Sequence, residues 1–213
     1  MVHEENDIKA VIFDMGGVIL QYNDMETFVK LISTVEKHPV LAKAMERLEI
    51  GELTLEDAPT IAKECIEAEP ETKAIFDLLK PKEFSNHLST CPYFAEALKQ
   101  IRSAGLQTAL LTNNFYVDTA RTKSTVLPNA EDKFDVVVES CREGLRKPDP
   151  QIYEVALQKL GRKPEECVFV DDLLKNCETA EKLGMRAVQV KKADAKGAVE
   201  ELQVVLGISL LEN

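Results

Sequence analysis

Five short apolar runs constrain this chain more than any other feature: Ala10-Val11-Ile12-Phe13, Thr108-Ala109-Leu110-Leu111, Val136-Val137-Val138, Cys167-Val168-Phe169-Val170 and Ala187-Val188-Gln189-Val190. Runs this brief, apolar nearly throughout and closed by polar residues, fit strands buried on both faces, as in a parallel sheet. Between them lie stretches with apolar residues at helical spacing. Phe94 to Ala104 stops at Gly105, Gln151 to Leu160 stops at Gly161, and Asn176 to Leu183 stops at Gly184. Strand alternating with helix predicts an α/β fold, a doubly wound parallel sheet with right-handed crossovers.

From about Tyr22 to Pro92 the rhythm breaks. Met25 to Ser33, Val40 to Leu48, Leu55 to Ala68 and Thr72 to Leu79 each carry helical pattern, and turn signals stand at Gly51, Pro70 and Pro81. This stretch has no strand-like run. A single crossover rarely needs so many residues. The expected organisation is therefore an α/β core formed by residues 1–21 and 93–213, with residues 22–92 inserted as an α-helical cap. The simpler alternative is that these helices flank the sheet.

A chain of 213 residues can bury a sufficient core without disulfides or structural metals. Its formal net charge of -11 argues against nucleic acid and against an anionic membrane surface as partners. A phosphorylated small molecule stays possible, because a metal and a lysine can invert the field locally. The five cysteines, Cys65, Cys91, Cys141, Cys167 and Cys177, lack the spacing of a zinc or redox motif and read as reduced thiols. The first residues are acidic and polar, unlike a signal peptide, and no apolar run approaches the roughly 20 residues of a membrane helix. A cytoplasmic protein of open oligomeric state is the expectation.

Ligands of open parallel sheets bind beyond the carboxyl ends of the strands. Three of the runs end there in residues able to do chemistry: Asp14 after the first, Thr112 and Asn113 after the second, Asp171 and Asp172 after the fourth. Any one of these alone would more often be a turn former or helix cap. Together they suggest a site. Adjacent carboxylates repel one another unless a cation lies between them, and hard oxygen ligands select Mg²⁺. A carboxylate can also attack phosphorus to form an aspartyl-phosphate. Gly16 and Gly17 permit close approach of backbone to ligand and offer amide donors. Lys147, in Gly-Leu-Arg-Lys-Pro-Asp-Pro, could neutralise a phosphoryl oxygen.

The order of these segments resembles the haloacid dehalogenase superfamily. Val11-Ile12-Phe13-Asp14-Met15-Gly16-Gly17-Val18 is similar to its first motif, Leu110-Leu111-Thr112-Asn113 to the second, Lys147-Pro148 to the third, and Val170-Asp171-Asp172 with Asn176 to the fourth. Glu139-Ser140-Cys141, Gly144, Lys147-Pro148, Pro150-Gln151-Ile152-Tyr153 and Gly207-Ile208-Ser209-Leu210-Leu211 resemble, more narrowly, the N-terminal phosphatase domain of soluble epoxide hydrolase and the related domain of a fused acyl-CoA dehydrogenase. The resemblance implies a Rossmann-like core and a Mg²⁺-dependent phosphomonoester hydrolase acting on a small phosphorylated metabolite. Asp14 would be the nucleophile and a metal ligand, with the Gly16 carbonyl and Asp172 completing the protein's share of the metal site. Gly17, Thr112, the Asn113 amide and Lys147 would hold phosphoryl oxygens, Lys147 also serving catalysis. Asp171 and Asn176 would support the metal shell, and the cap would exclude water.

One position departs from the pattern. Phosphatases of this superfamily usually carry an acid/base aspartate where this chain has Gly16, and losing such a group typically costs ~10²–10⁴-fold in rate. Two alternatives follow: a catalytically weak or inactive binding protein on the same fold, and a 2-haloacid dehalogenase, which Asp171-Asp172 disfavours. Elsewhere, His3, His38 and His87 read as surface or structural residues, Cys141 as a buried thiol, Lys191-Lys192 as a solvated pair, and Arg146 as either exposed or functional. Glu52, beside Gly51, is a candidate for setting substrate preference.

Overall fold

A computed structural model describes residues 7–78 and 88–211. Along the chain run β1 (Ala10–Phe13), β2 (Leu20–Tyr22), α1 (Met25–Lys37), α2 (Pro39–Glu49), α3 (Ala58–Ala68) and α4 (Lys73–Leu78). They are followed by β3 (Leu88–Thr90), α5 (Pro92–Ser103), β4 (Gln107–Thr112), β5 (Val136–Glu139), α6 (Pro150–Leu160), β6 (Cys167–Asp171), α7 (Leu174–Lys182), β7 (Arg186–Gln189) and α8 (Ala195–Leu206). The predicted turn at Pro81, the end of the fourth cap helix at Leu79, and His3 and His87 lie outside the described residues.

All five predicted strands pair in parallel in the order β5-β4-β1-β6-β7. The chain starts in the middle, builds to one side, then returns to build on the other, as a doubly wound sheet does. Phe13, the last residue of β1, lies between Leu110 and Val170 of its neighbours. Successive side chains point to opposite faces. Val11 and Phe13 pack with Phe94, Ile101, Leu202 and Leu206 of α5 and α8, whereas Ala10 and Ile12 pack with Ile152, Tyr153 and Leu160 of α6. Apolar residues on both faces of each strand are what made the runs continuous. Phe13 stacks edge-on against Phe94 at 6.2 Å between centroids. Each such fully buried side chain contributes about 1.5–3 kcal/mol.

The strands are longer than the apolar runs at their functional ends. β4 continues to Thr112, β5 to Glu139 and β6 to Asp171, all three buried. Hydrogen bonding in the sheet carries these polar residues beyond the point where hydrophobicity stops.

The segment between β1 and α5 contains strand as well as helix, which corrects one expectation. β2 and β3 form a two-stranded antiparallel ribbon, with Leu20 opposite Thr90 and Tyr22 opposite Leu88. Leu-Ser-Thr is too short and polar to signal a strand alone; its partner defines it. The helices that follow the ribbon gather Leu41, Leu48, Ile61, Cys65 and Phe76 into a cluster apart from those on the sheet. The loop after β4 adds Phe115 to that cluster. No helix among the described residues is long and apolar enough to cross a membrane. All five cysteines are buried free thiols.

Candidate active site

The carboxyl ends of β1, β4 and β6 converge on a cavity of about 1070 Å³. Asp14 follows β1, and its backbone amide donates to the Val170 carbonyl of β6, which ties the turn to the neighbouring strand. Its Oδ1 accepts from the Met15 amide at 2.7 Å and pairs with Lys147 Nζ at 2.8 Å. Lys147 is 2% exposed and also reaches Asp171 Oδ2 at 2.8 Å. Burial alone would lower the Lys147 pKa, but the two carboxylates outweigh it and hold the ammonium charged.

Asp14, Asp171 and Asp172 each place a carboxylate oxygen within 4.8 Å of the others. With a single buried lysine among them, they cannot all ionise comfortably. Burial, reinforced by Asp171 and opposed by Lys147, raises Asp14 to about 7. Burial and the charges of Asp14 and Asp171 raise Asp172 to about 8. A divalent cation would relieve this repulsion.

The three aspartates are not equivalent. Asp171 accepts from the Leu173 amide at 2.8 Å, from Asn176 Nδ2 at 3.0 and 3.1 Å, and from Lys147, so its oxygens are committed. It anchors Lys147 and Asn176. Asp14 and Asp172 could hold a metal ion. The Oδ1 of Asn176 is buried without a hydrogen-bond partner among the described residues, which fits an acceptor awaiting a metal-bound water. The donor set therefore suits a hard cation such as Mg²⁺.

Gly17 explains the closeness of two turns. It adopts φ +73°, and a Cβ there would lie 2.4 Å from Asp172 Oδ2. Only glycine allows Asp172 to lean over the turn after β1. The Gly17 amide, expected as a phosphate donor, is instead bonded to the Leu20 carbonyl at 2.7 Å. Gly16 lines the cavity and carries no positive φ. A Cβ on it would meet the Tyr22 hydroxyl at 2.5 Å.

Thr112 and Asn113 border the cavity beside Lys147. Asn113 clamps the Lys147 peptide in both directions: Nδ2 donates to the Lys147 carbonyl at 3.0 Å, and Oδ1 accepts from the Lys147 amide at 2.9 Å. The expected Asn113 amide role thus gains a second task for the side chain, fixing the lysine loop.

Three further residues enter the site, two of them from places where the sequence carries no motif. Tyr22 comes from the ribbon, and desolvation followed by the charge of Asp172 pushes its phenol well above 10. Glu49, at the end of α2, pairs with Arg146 next to Lys147, and burial raises its carboxyl despite Arg146. Arg146, undecided from the sequence, therefore joins the cavity wall to the helical segment. Charge beside the third motif hinted at Arg146, but nothing in the sequence indicated Tyr22 or Glu49. Glu52 is exposed and pairs with Arg47 at 3.0 Å rather than facing the site. Cys141 bonds Asn114 Oδ1 at 3.3 Å, and burial and Glu139 raise it to about 12, so it is a poor nucleophile.

Comparison with known proteins agrees with this geometry. Mouse acyl-CoA dehydrogenase family member 10 is 34% identical over 95% of this chain and 19% of its own length. Pig bifunctional epoxide hydrolase 2 is 28% identical over 96% of this chain and 40% of its own length. The chain thus spans about a fifth and two fifths of these relatives. The sesquiterpene phosphatase astK of Aspergillus oryzae is 27% identical over 93% of this chain and 97% of its own length. Among solved structures, a haloacid dehalogenase family enzyme of Bacteroides thetaiotaomicron, in complex with magnesium and inorganic phosphate, shares the fold. Its TM-score is 0.56 at 21% identity, covering 85% of this chain and 93% of that one. The model for haloacid dehalogenase-like hydrolases matches residues 8–184, and the chain belongs to that family.

Proposed function

We propose that the protein is a Mg²⁺-dependent phosphomonoesterase that works through an aspartyl-phosphate on Asp14. One observation carries the reading: Lys147, buried, sits 2.8 Å from both Asp14 and Asp171 inside a cluster of three carboxylates. Such a cluster has a nucleophile, a fixed positive charge and an excess of negative charge suited to a cation. Asp14 and Asp172, with the Gly16 carbonyl, would hold Mg²⁺, which when bound neutralises phosphoryl oxygens and the attacking carboxylate.

The chain's own residues supply the rest. The Met15 amide and Lys147 both take Oδ1 of Asp14, leaving Oδ2 as the oxygen assigned to attack. As the Oδ2–P bond forms, the ester P–O bond breaks. Water then attacks phosphorus, the Asp14 Oδ2–P bond breaks, and inorganic phosphate leaves with the Asp14 carboxylate restored. Lys147 offsets charge on the phosphoryl group throughout, and Thr112 and the Asn113 amide border the space for its oxygens. Asp171 and Asn176 position these groups rather than react. Residues 22–92 act as the cap that covers the site, Glu49 and Arg146 forming its contact with the lysine loop. Likeness to a sesquiterpene phosphatase along most of both chains supports a phosphate-ester substrate. Cavity walls bearing Val35, Met45 and Leu174 as well as charged residues suit an ester with an apolar part.

The test is phosphate release from a panel of esters with Mg²⁺ or EDTA. Asp14→Asn should fold and lose at least about 10³-fold in turnover, because an amide is a poor nucleophile. Retained activity in that variant would overturn the mechanism. Release from no ester by the unmodified protein would favour a non-catalytic binding protein instead, with Gly16 as the physical reason.

A further inference from the structure

Glu49 occupies a place that disfavours a carboxylate twice over. It is the last residue of α2, where the negative end of the helix dipole repels an anion. Its side chain is also only 16% exposed, and burying a charge costs free energy unless a partner meets it. The partners it meets are the two residues that support Lys147. Its Oε2 accepts from Nε of Arg146, the residue immediately before the lysine, and the same oxygen lies 3.5 Å from Asn113 Nδ2. That Nδ2 donates to the Lys147 carbonyl at 3.0 Å, while Oδ1 of the same amide accepts from the Lys147 N–H at 2.9 Å. The backbone of Arg146 is fixed as well, its carbonyl accepting from the Asp149 amide at 2.9 Å. Lys147 and Lys175 add positive charge around Glu49, second to that of Arg146.

One oxygen of the helical segment therefore reaches both supports of the lysine. The onward path is short, because Lys147 Nζ stands 2.8 Å from Asp14 Oδ1 and 2.8 Å from Asp171 Oδ2. We propose that Glu49 is a positioning residue for the phosphatase reaction: through Arg146 and the Asn113 amide it fixes the lysine loop, and so sets where the Lys147 ammonium stands beside Asp14. The helical segment thereby completes the catalytic centre as well as covering it. The role rests on the reading of Asp14 as the nucleophile and Lys147 as its charge partner. Glu49 itself exchanges no proton and forms no bond with the substrate. Its effect is geometric, and a displacement of about 1 Å caused by a change away from the chemistry can cost on the order of 100-fold in rate. Arg146 pairs through Nε, so a lysine there, whose ammonium ends one bond further out, can take over the pairing.

Two measurements separate positioning from simple fastening of α2 to the core. The first is turnover of p-nitrophenyl phosphate with saturating Mg²⁺, resolved into kcat and KM. It compares wild type, Glu49→Ala, Glu49→Gln, Arg146→Ala, Arg146→Lys, the Glu49→Ala/Arg146→Ala pair and Asp14→Asn. Glu49→Ala should lower kcat about 10- to 100-fold and leave KM within about threefold of wild type. Arg146→Ala should do the same, and Arg146→Lys should recover most of the loss. The pair should be no slower than the slower single variant, because both changes break one chain of contacts. Glu49→Gln keeps the shape and an acceptor oxygen but not the charge, so it should fold even where alanine does not and lose kcat less steeply, again with KM unchanged. The second measurement is amide exchange in EDTA, which needs no turnover. The Lys147 N–H should exchange about 10-fold faster in Glu49→Ala, while α3 and β1 keep their protection. Faster exchange in α2 and α3 with Lys147 unaffected would reduce Glu49 to a fastener and overturn the role. A higher KM at unchanged kcat would overturn it in favour of a substrate contact, and additive losses in the pair would break the link through Arg146. Activity retained in Asp14→Asn would remove the reaction that Lys147 serves, a failure that the exchange of the Lys147 amide keeps distinct from failure of the positioning itself.

Discussion

Lys147 is the residue on which the site balances. Its ammonium is enclosed, with a carboxylate 2.8 Å away on each of two sides, and the Phe169 ring lies 5.6 Å from it. Removing one member of a buried ion pair leaves the other uncompensated, a loss of about 3–5 kcal/mol. Lys147→Ala should therefore lose about 3 kcal/mol in urea denaturation with EDTA present, and turnover with Mg²⁺ should fall at least about 100-fold. Lys147→Arg should restore little of either, since a planar fork does not replace a point charge in an enclosed space. If Lys147→Ala kept full stability in EDTA and lost only substrate affinity, the lysine would be a binding residue on the cavity wall. Asp14, Asp171 and Asp172 were legible in the sequence because each ends or follows a recognisable run, and Lys147 because it lies in the proline-bounded loop Gly-Leu-Arg-Lys-Pro-Asp-Pro. Tyr22 and Glu49 were not. Their positions in the site follow from the pairing of β2 with β3 and from where α2 stops, and neither is encoded in a local pattern.

Among the elements, the loop after β4 links the two parts of the chain. It begins with Asn113, which clamps Lys147, and continues to Phe115, which is buried in the cluster of the helical segment. The Leu55 amide donates to the Tyr116 carbonyl at 2.9 Å, and Arg121 donates to the Gly51 carbonyl at 3.1 Å. Gly51 itself has φ +74°, and a Cβ there would lie 2.2 Å from the Cys141 carbonyl, so the loop between α2 and α3 rests directly on core backbone. Phe115→Ala should cost about 3 kcal/mol by leaving a cavity in that cluster. Amide exchange should then rise in α2 and α3 more than in β1 and β4. A uniform rise would mean that helices and sheet open together as one cooperative unit. The five sheet strands and the helices between them could be read from periodicity, since burial on both faces makes their runs continuous. The β2–β3 ribbon could not, because Leu88–Thr90 is a strand only through its partner. The continuation of β4, β5 and β6 into Thr112, Glu139 and Asp171 was equally hidden, as polar residues there look like turn.

For the molecule as a whole, the carboxylate cluster ties stability to pH, and the proposed cation would act on the same groups. Folding raises Asp14 from 3.8 to about 7 and Asp172 from 3.8 to about 8. Both groups in the unfolded chain release their protons near pH 4, as ordinary aspartates do. Between that pH and about 8, the metal-free folded protein holds protons that the unfolded chain has lost. Their contribution is fully present below the unfolded pKa and disappears as pH rises through the folded values. A cation reverses the preference, since it binds the ionised carboxylates and stabilises the folded state alone. The net charge of -11 adds repulsion that also grows with pH, so the difference between metal-loaded and metal-free protein is the cleaner quantity. In EDTA the melting temperature should fall from about pH 5 to about pH 8.5, whereas excess Mg²⁺ should flatten the curve and widen the gap with rising pH. Asp14→Asn removes one of the two titrating carboxylates and should narrow that gap. Parallel curves with and without Mg²⁺ over the whole range would show that the cluster holds no metal, and the carboxylates would then have to share protons to remain together.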